Sequence, residues 1–222
     1  LGTKNLIDQC IKFHVNNFIF FSTIKVCGEN TEVGEYFNKF SSYEGRDSYS
    51  ESKKFIELYL KDNTVNDRFN YLIVRSPLVF GKEVRGNLGF FETLLKKKIP
   101  IPLGNVTNNS RAIVKVNTLN SLLLYKLKNP TWMKNQIICP VDGHFSTLEL
   151  VKLVAEEHNM FPKVFSVPNF FLKFCMTVLG KSRLIPKIFG DLQVRDVDNL
   201  KSVENLSSPG IEHCLDENGL VK

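Results

Sequence analysis

Phe18-Ile19-Phe20-Phe21-Ser22-Thr23-Ile24-Lys25-Val26-Cys27-Gly28-Glu29, followed by Tyr49-Ser50-Glu51-Ser52-Lys53, is the stretch whose reading decides the fold. Four consecutive bulky apolar residues have no polar face to offer water, so Phe18 to Phe21 reads as a buried strand. Ser22 and Thr23 then stand at its carboxyl end, where open parallel α/β sheets place their ligands. Tyr49 and Lys53, one helical turn apart, share a face. The three side chains form the set that hydride transfer at a carbinol uses: Thr23 holds a substrate oxygen, Tyr49 moves a proton and Lys53 keeps the phenol acidic. A nearby cation favours phenolate and lowers a phenol pKa that is ordinarily about 10. A solvated Tyr/Lys pair on a helix face is the plain alternative.

Composition sets the outer bounds. The chain has 222 residues, 43% apolar and 23% charged, which is ordinary for a soluble globular protein with a substantial core. Cys10, Cys27, Cys139, Cys175 and Cys214 show no C-x-x-C spacing, which favours free thiols in a reducing, cytoplasmic setting over a disulfide scaffold. No His pairs with a Cys or another His at ligand spacing, so no metal site is expected; His144, after Asp142-Gly143, reads as a loop residue. The net charge of +6 and the run Lys96-Lys97-Lys98 invite a nucleic-acid reading. Those lysines instead close a helix whose Leu88, Phe91, Leu94 and Leu95 recur at helical spacing, and no aromatic-interleaved basic stripe accompanies them. Val167 to Leu179 is too short and too interrupted to span a bilayer. Its Phe170, Phe171, Phe174, Cys175, Val178 and Leu179 have a helical period, expected as a packing face rather than a membrane-surface helix.

The pattern predicts helix over 1–15, strand over 18–22, a long loop to about 47, helix over 48–62 and a second strand at Tyr71–Arg75. After a loop from Gly81 to Gly86 come helix 87–98, strand 112–116, helix 117–128 and strand 137–139. Ser146-Thr147-Leu148-Glu149-Leu150 then opens a further helix, with Ser or Thr as its N-cap. The tail after Leu192 is polar and reads as partly loose.

Several short motifs, in order, resemble those of the extended short-chain dehydrogenase/reductase family, the NAD-dependent epimerases and dehydratases of nucleotide sugars. Gly2-Thr3-Lys4-Asn5-Leu6-Ile7 resembles the helix before the catalytic strand, and Arg75-Ser76-Pro77-Leu78-Val79-Phe80-Gly81 the family's "R-P-x-V-Y-G" segment. Gly86-Asn87-Leu88, Pro100-Ile101-Pro102-Leu103-Gly104 and Arg111-Ala112-Ile113-Val114-Lys115-Val116 resemble its substrate-side motifs. The resemblance implies a Rossmann-like doubly wound parallel sheet lacking its first βαβ units, over residues 1–80, and a smaller α/β substrate domain, mainly 81–222, with some segments returning to the cofactor domain. The family's opening G-x-x-G-x-x-G turn is not among these residues, so the sequence reads as the C-terminal part of a longer protein and is expected, as written, to bind dinucleotide poorly.

By the same resemblance Thr23, Tyr49 and Lys53 are catalytic, Tyr49, Lys53, Pro77, Leu78 and Val79 meet NAD or NADP, and Thr23, Asn87 and Arg111 meet a UDP-sugar. An Asn opening a helix can offer donors to phosphate, and an Arg offers a bidentate fork; the plain alternatives are an N-cap and a surface salt bridge. Asn117, where an Asp is common, reads as a helix N-cap. Sugar 4,6-dehydratases carry Asp-Glu after the catalytic Thr, whereas Ile24-Lys25 stands here, and isoleucine cannot shuttle a proton. The resemblance therefore implies hydride movement at C4, by a 4-epimerase or a 4-keto reductase, and "S-S-I-K-V-N-G-E" variants occur in a branch tied to bacterial surface-polysaccharide synthesis. A homodimer is compatible with it. A non-catalytic relative with only a binding or structural role is the competing reading.

Overall fold

Strand β2 (Asn70–Ser76) is buried from Tyr71 onward and organises the protein, which a computed structural model describes over residues 2–63, 69–81, 87–129 and 134–195. It pairs in parallel with β1 (Asn17–Thr23) on one edge and β5 (Gln136–Ile138) on the other. Alternation sends Tyr71 and Ile73 to one face of the sheet and Leu72 and Val74 to the other. On the first face Phe20 joins them, and α1 (Gly2–Lys12) and α2 (Ser48–Asp62) cover them with Ile7, Ile56 and Leu60. On the second, α4 (Val116–Lys128) supplies Leu119 and Leu122. Helices on both faces of a parallel sheet are the doubly wound arrangement that the family resemblance implies, with Phe18 to Phe21 in a strand as the apolar run predicts.

A second sheet takes over where β2 ends. Its strands run in the order β3 (Leu78–Phe80), β4 (Arg111–Lys115), β6 (Gly143–Phe145), with β3 and β4 parallel and β6 antiparallel. Leu88, Phe91 and Leu95 of α3 (Asn87–Lys96) and Leu150, Val151 and Val154 of α5 (Thr147–Glu157) pack with Ile113 to form its core. Of the two candidates Ser146 and Thr147, Ser146 caps α5, in a capping box with Glu149. Strands β3 and β6, each of three residues, are not among the strands the pattern predicts, whereas β5, equally short, is. His144, expected in a loop, lies in β6, and its Nε2 accepts the Val194 amide hydrogen at 3.2 Å.

Other local readings need correcting. Asn117 does not cap α4; Lys115 holds the cap position without a side-chain bond, and Asp142 does the capping from outside by accepting from the Lys115 amide and the Thr118 hydroxyl. In α6 (Asn169–Val178) the packed residues are Leu172 and Met176, whereas Phe170, Phe171, Phe174 and Val178 are exposed, so the expected packing face is largely bare. A short 3-10 turn, Ser182–Leu184, and α7 (Ile185–Phe189) follow α6. Of the loop expected at 81–86 only Gly81 is among the described residues, and the tail beyond Arg195 lies outside them.

The helix that carries Tyr49 and Lys53 starts at Asp47, whose carboxylate accepts the Ser50 amide hydrogen at 2.7 Å. That bond, against the opposing effect of burial, holds the Asp47 carboxyl below the ordinary aspartate value of 3.8. A carboxyl with a depressed folded pKa stabilises above its unfolded value and loses that contribution as pH falls through the folded one. Asp47→Ala should cost about 1 kcal/mol at pH 7. In urea unfolding, the gap between parent and variant should narrow as pH falls below the ordinary 3.8; a gap independent of pH would contradict the cap.

Candidate active site

The carboxyl end of the first sheet carries Thr23, and Lys53 reaches β1 from α2, whereas Arg111 and Asn87 belong to the second sheet and its helix. Thr23 closes β1 and stands in register with Ser76, the last residue of β2, so the chain leaves β2 through Pro77 beside Thr23. Thr23 is buried, and its hydroxyl accepts the Lys25 amide hydrogen at 3.3 Å, capping the 3-10 turn Ile24–Val26. That bond uses the oxygen as acceptor and leaves the hydroxyl hydrogen free to donate.

Tyr49 is the second residue of α2 and 54% exposed, so a ligand can reach its phenol. Lys53, one turn on, donates to the Phe21 carbonyl at 2.8 Å. Its ammonium lies 4.8 Å from the centre of the Phe20 ring and 5.8 Å from that of Tyr49. Strand β1 and helix α2 are therefore tied together at the level of Thr23, which places the three side chains at one sheet edge. The expected acidification of the phenol does not appear. Burial first, then the Asp47 carboxylate, raise the Tyr49 pKa above its ordinary value, while Lys53 is held by a backbone carbonyl and burial lowers its own.

Pro77 is buried, and Leu78 and Val79 pack against the cores of the two sheets, so their side chains serve the junction between sheets. Arg111 opens β4, two residues before Ile113, the register partner of Leu78. It is 2% exposed and is no surface salt-bridge residue: its Nη1 donates to the Gly190 carbonyl at 2.8 Å and the Pro186 carbonyl at 3.3 Å. Its Nη2 is buried with no hydrogen-bond partner among the described residues. Asn87 opens α3, but its side chain lies outside the described residues. Ile24, where a dehydratase would carry a proton-transfer residue, is fully buried, and Lys25 is paired with Glu29 at 3.0 Å.

Sequence reasoning missed the group beneath this edge. Glu57 and Arg75, 0% and 1% exposed, form an ion pair at 2.9 Å between α2 and β2. Glu57 also accepts from the hydroxyls of Ser22, the neighbour of Thr23, and Tyr43. The Arg75 guanidinium lies over the Tyr43 ring and contacts the Cys27 sulfur. Burial alone would lower the Arg75 pKa, but hydrogen bonds and charge from Glu57 outweigh it and raise it. Burial pushes the Cys27 thiol up to about 11, which makes it a packing residue and not a nucleophile. The available signal was positional: Glu57 follows Lys53 by one helical turn on the same face as Tyr49, and Arg75 ends an otherwise apolar strand.

A cavity of about 760 Å³ opens under the loop after β1, lined by Lys25, Glu29, Tyr36, Glu44, Arg46 and Asp47. Neither Thr23 nor Tyr49 lines it, and its preponderance of carboxylates disfavours an anionic ligand. No cluster of metal-ligating side chains occurs among the described residues.

Residues 1–121 match the model of the 3-beta hydroxysteroid dehydrogenase/isomerase family. Over 209 residues the chain is 33% identical to a UDP-glucose 4-epimerase of Vibrio cholerae, covering 94% of this chain and 63% of that one. The fold is similar to that of the Thermus thermophilus UDP-glucose 4-epimerase solved with NAD, at a TM-score of 0.68 and 20% identity over 91% of this chain and 62% of the other. It is also similar to that of RMD from Pseudomonas aeruginosa solved with NADPH, at 0.63 and 14% over 91% and 65%. The chain thus spans somewhat under two-thirds of the length of these relatives.

Breaking the buried pair from one side leaves an uncompensated charge. Glu57→Gln should destabilise the fold by about 3 kcal/mol or more, and pairing it with Arg75→Met should recover part of that loss. Denaturant titration of the single and double variants checks this; a double variant no more stable than Glu57→Gln would contradict the coupling.

Proposed function

The chain belongs to the 3-beta hydroxysteroid dehydrogenase/isomerase family, and from that premise we propose that the protein it comes from moves hydride at C4 of a UDP-sugar, as a 4-epimerase or a 4-keto reductase. The observation that carries the reading is the tie between Lys53 and the Phe21 carbonyl, which holds the Tyr49 helix against the strand ending in Thr23. The Vibrio cholerae relative supports the substrate class.

The residues present fit the nicotinamide end of NAD or NADP: an exposed phenol, an ammonium one turn away, and the Pro77–Val79 segment leaving the sheet at the same edge. When bound, that cofactor supplies the hydride acceptor or donor. The remaining work falls to the chain. Thr23 donates a hydrogen bond to the C4 oxygen of the sugar, orienting it toward Tyr49. Tyr49 takes the proton from that oxygen during oxidation and returns it during reduction. Lys53, one turn from the phenol and 5.8 Å from the centre of its ring, would hold the cofactor ribose and favour the phenolate by its charge. Arg111 brings an unpartnered guanidinium nitrogen and Asn87 a helix start, both suited to the UDP diphosphate. A buried Ile24 and a paired Lys25 leave no second acid/base pair beside Thr23 for eliminating water.

Tyr49→Phe in the full open reading frame, assayed with UDP-glucose or UDP-N-acetylglucosamine and added NAD, should keep the fold and lose turnover by about 10²-fold or more. Near-parental turnover by the variant would overturn the assignment. A parent that binds a UDP-sugar but never turns it over would favour the binding-only reading.

A further inference from the structure

Helix α6 is apolar on two sides. Leu172 packs against the core of the second sheet and Met176 is buried, while Phe170, Phe174 and Val178, spaced one turn apart, are 76%, 64% and 68% exposed. Phe171 and Leu179 widen this outer face, and Phe165 just upstream is also exposed. A helix that is apolar nearly all round is normally buried, and an exposed apolar patch of this kind marks an interaction surface.

Charge identifies the occupant. Between Glu157 and Asp191 the sequence has no acidic residue, yet it carries Lys163, Lys173, Lys181, Arg183 and Lys187. Lys173 lies on α6 between the two apolar faces, and its ammonium sits 4.9 Å from the centre of the Phe189 ring, at the margin of the patch. Lys181 and Arg183 follow the C-terminal end of the helix, and both are exposed. Large aromatic side chains on a convex helix face, edged by cations, match the interface between acyl chains and anionic headgroups. No helix among the described residues is long and apolar enough to cross a membrane, which fits a helix lying on a bilayer.

We propose that α6 docks the protein onto an anionic membrane surface, with Phe170, Phe171, Phe174 and Val178 entering the headgroup region and the flanking lysines and arginine contacting lipid phosphates. The helix is moored for this at its start: the Asn169 side chain donates to the Asn105 carbonyl at 3.2 Å, and that of Asn105 to the Val167 carbonyl at 3.2 Å. Its inner residues Leu172 and Met176 stay in the fold, so no unfolding is needed to present the outer face. None of these residues belongs to the proposed catalytic edge.

Flotation of the chain with phosphatidylcholine vesicles, with and without phosphatidylglycerol, tests this. The parent should float with the anionic vesicles, weakly or not at all with the neutral ones, and release as salt rises. Phe170→Ser combined with Phe174→Ser should cut the partitioning by about tenfold or more, the scale of withdrawing large aromatic side chains from lipid. Because both positions are exposed, the thermal midpoint of the variant should match the parent. Failure of the parent to float, or equal flotation of parent and variant, would overturn the proposal. So would a dimer, seen by sedimentation, that the variant abolishes without any vesicle binding by the parent; the face would then belong to a second copy of the chain.

Discussion

The buried pair of Glu57 and Arg75 is the interaction on which the rest of this architecture depends. Two charges removed from water cost several kcal/mol each unless every lone pair and donor finds a partner. Here the partners come from three directions: Arg75 from β2, the Ser22 hydroxyl from β1 and the Tyr43 hydroxyl from the intervening loop all converge on one carboxylate of α2. Apolar packing alone lets a helix slide on a sheet, because Ile56 and Leu60 could trade neighbours at modest cost. A carboxylate that must meet three donors cannot slide. The pair therefore sets the register of α2 on the sheet, and with it the placement of Tyr49 and Lys53 against Thr23.

Under the proposed function, structural and chemical roles divide along one helix. Asp47 starts α2, Tyr49 and Lys53 face the open sheet edge in the first two turns, and Glu57 anchors the helix in the third. The exposed part of α2 is the part with chemistry to offer; the buried part holds it still. On the far side, β3 and β4 continue the same edge, so that Arg111 and the start of α3 belong to a second core and not to the Rossmann-like sheet.

Much of this was legible in the sequence. The apolar run at Phe18 and the hydroxyls after it located β1 within a residue at each end, and the helix expected over 48–62 is α2; the Tyr-x-x-x-Lys spacing, weak by itself, drew its meaning from that neighbouring strand. Strands β3 and β6 were not legible, since β3 follows β2 across a single Pro77 and β6 carries Gly143 and His144 where β5 carries an apolar pair; nor was the capping of α4 by Asp142, since it comes from a distant part of the chain. The outward face of α6 misled for a related reason: helical periodicity reports that a stripe is apolar, not what covers it. The raised Tyr49 pKa likewise follows from burial and the nearby Asp47 carboxylate, neither of which the Tyr/Lys spacing fixes.

The proposed chemistry is confined to one carbinol carbon, with Thr23, Tyr49 and Lys53 acting at C4 of a UDP-sugar and no acid/base pair at Ile24-Lys25. Mass and proton spectra of the product, from the full open reading frame incubated with a UDP-sugar and NAD, test that most directly. The account predicts a product of unchanged mass with inverted C4 configuration or, for a 4-keto substrate given reduced cofactor, a product with one new hydride at C4. A product lighter by one water would contradict it.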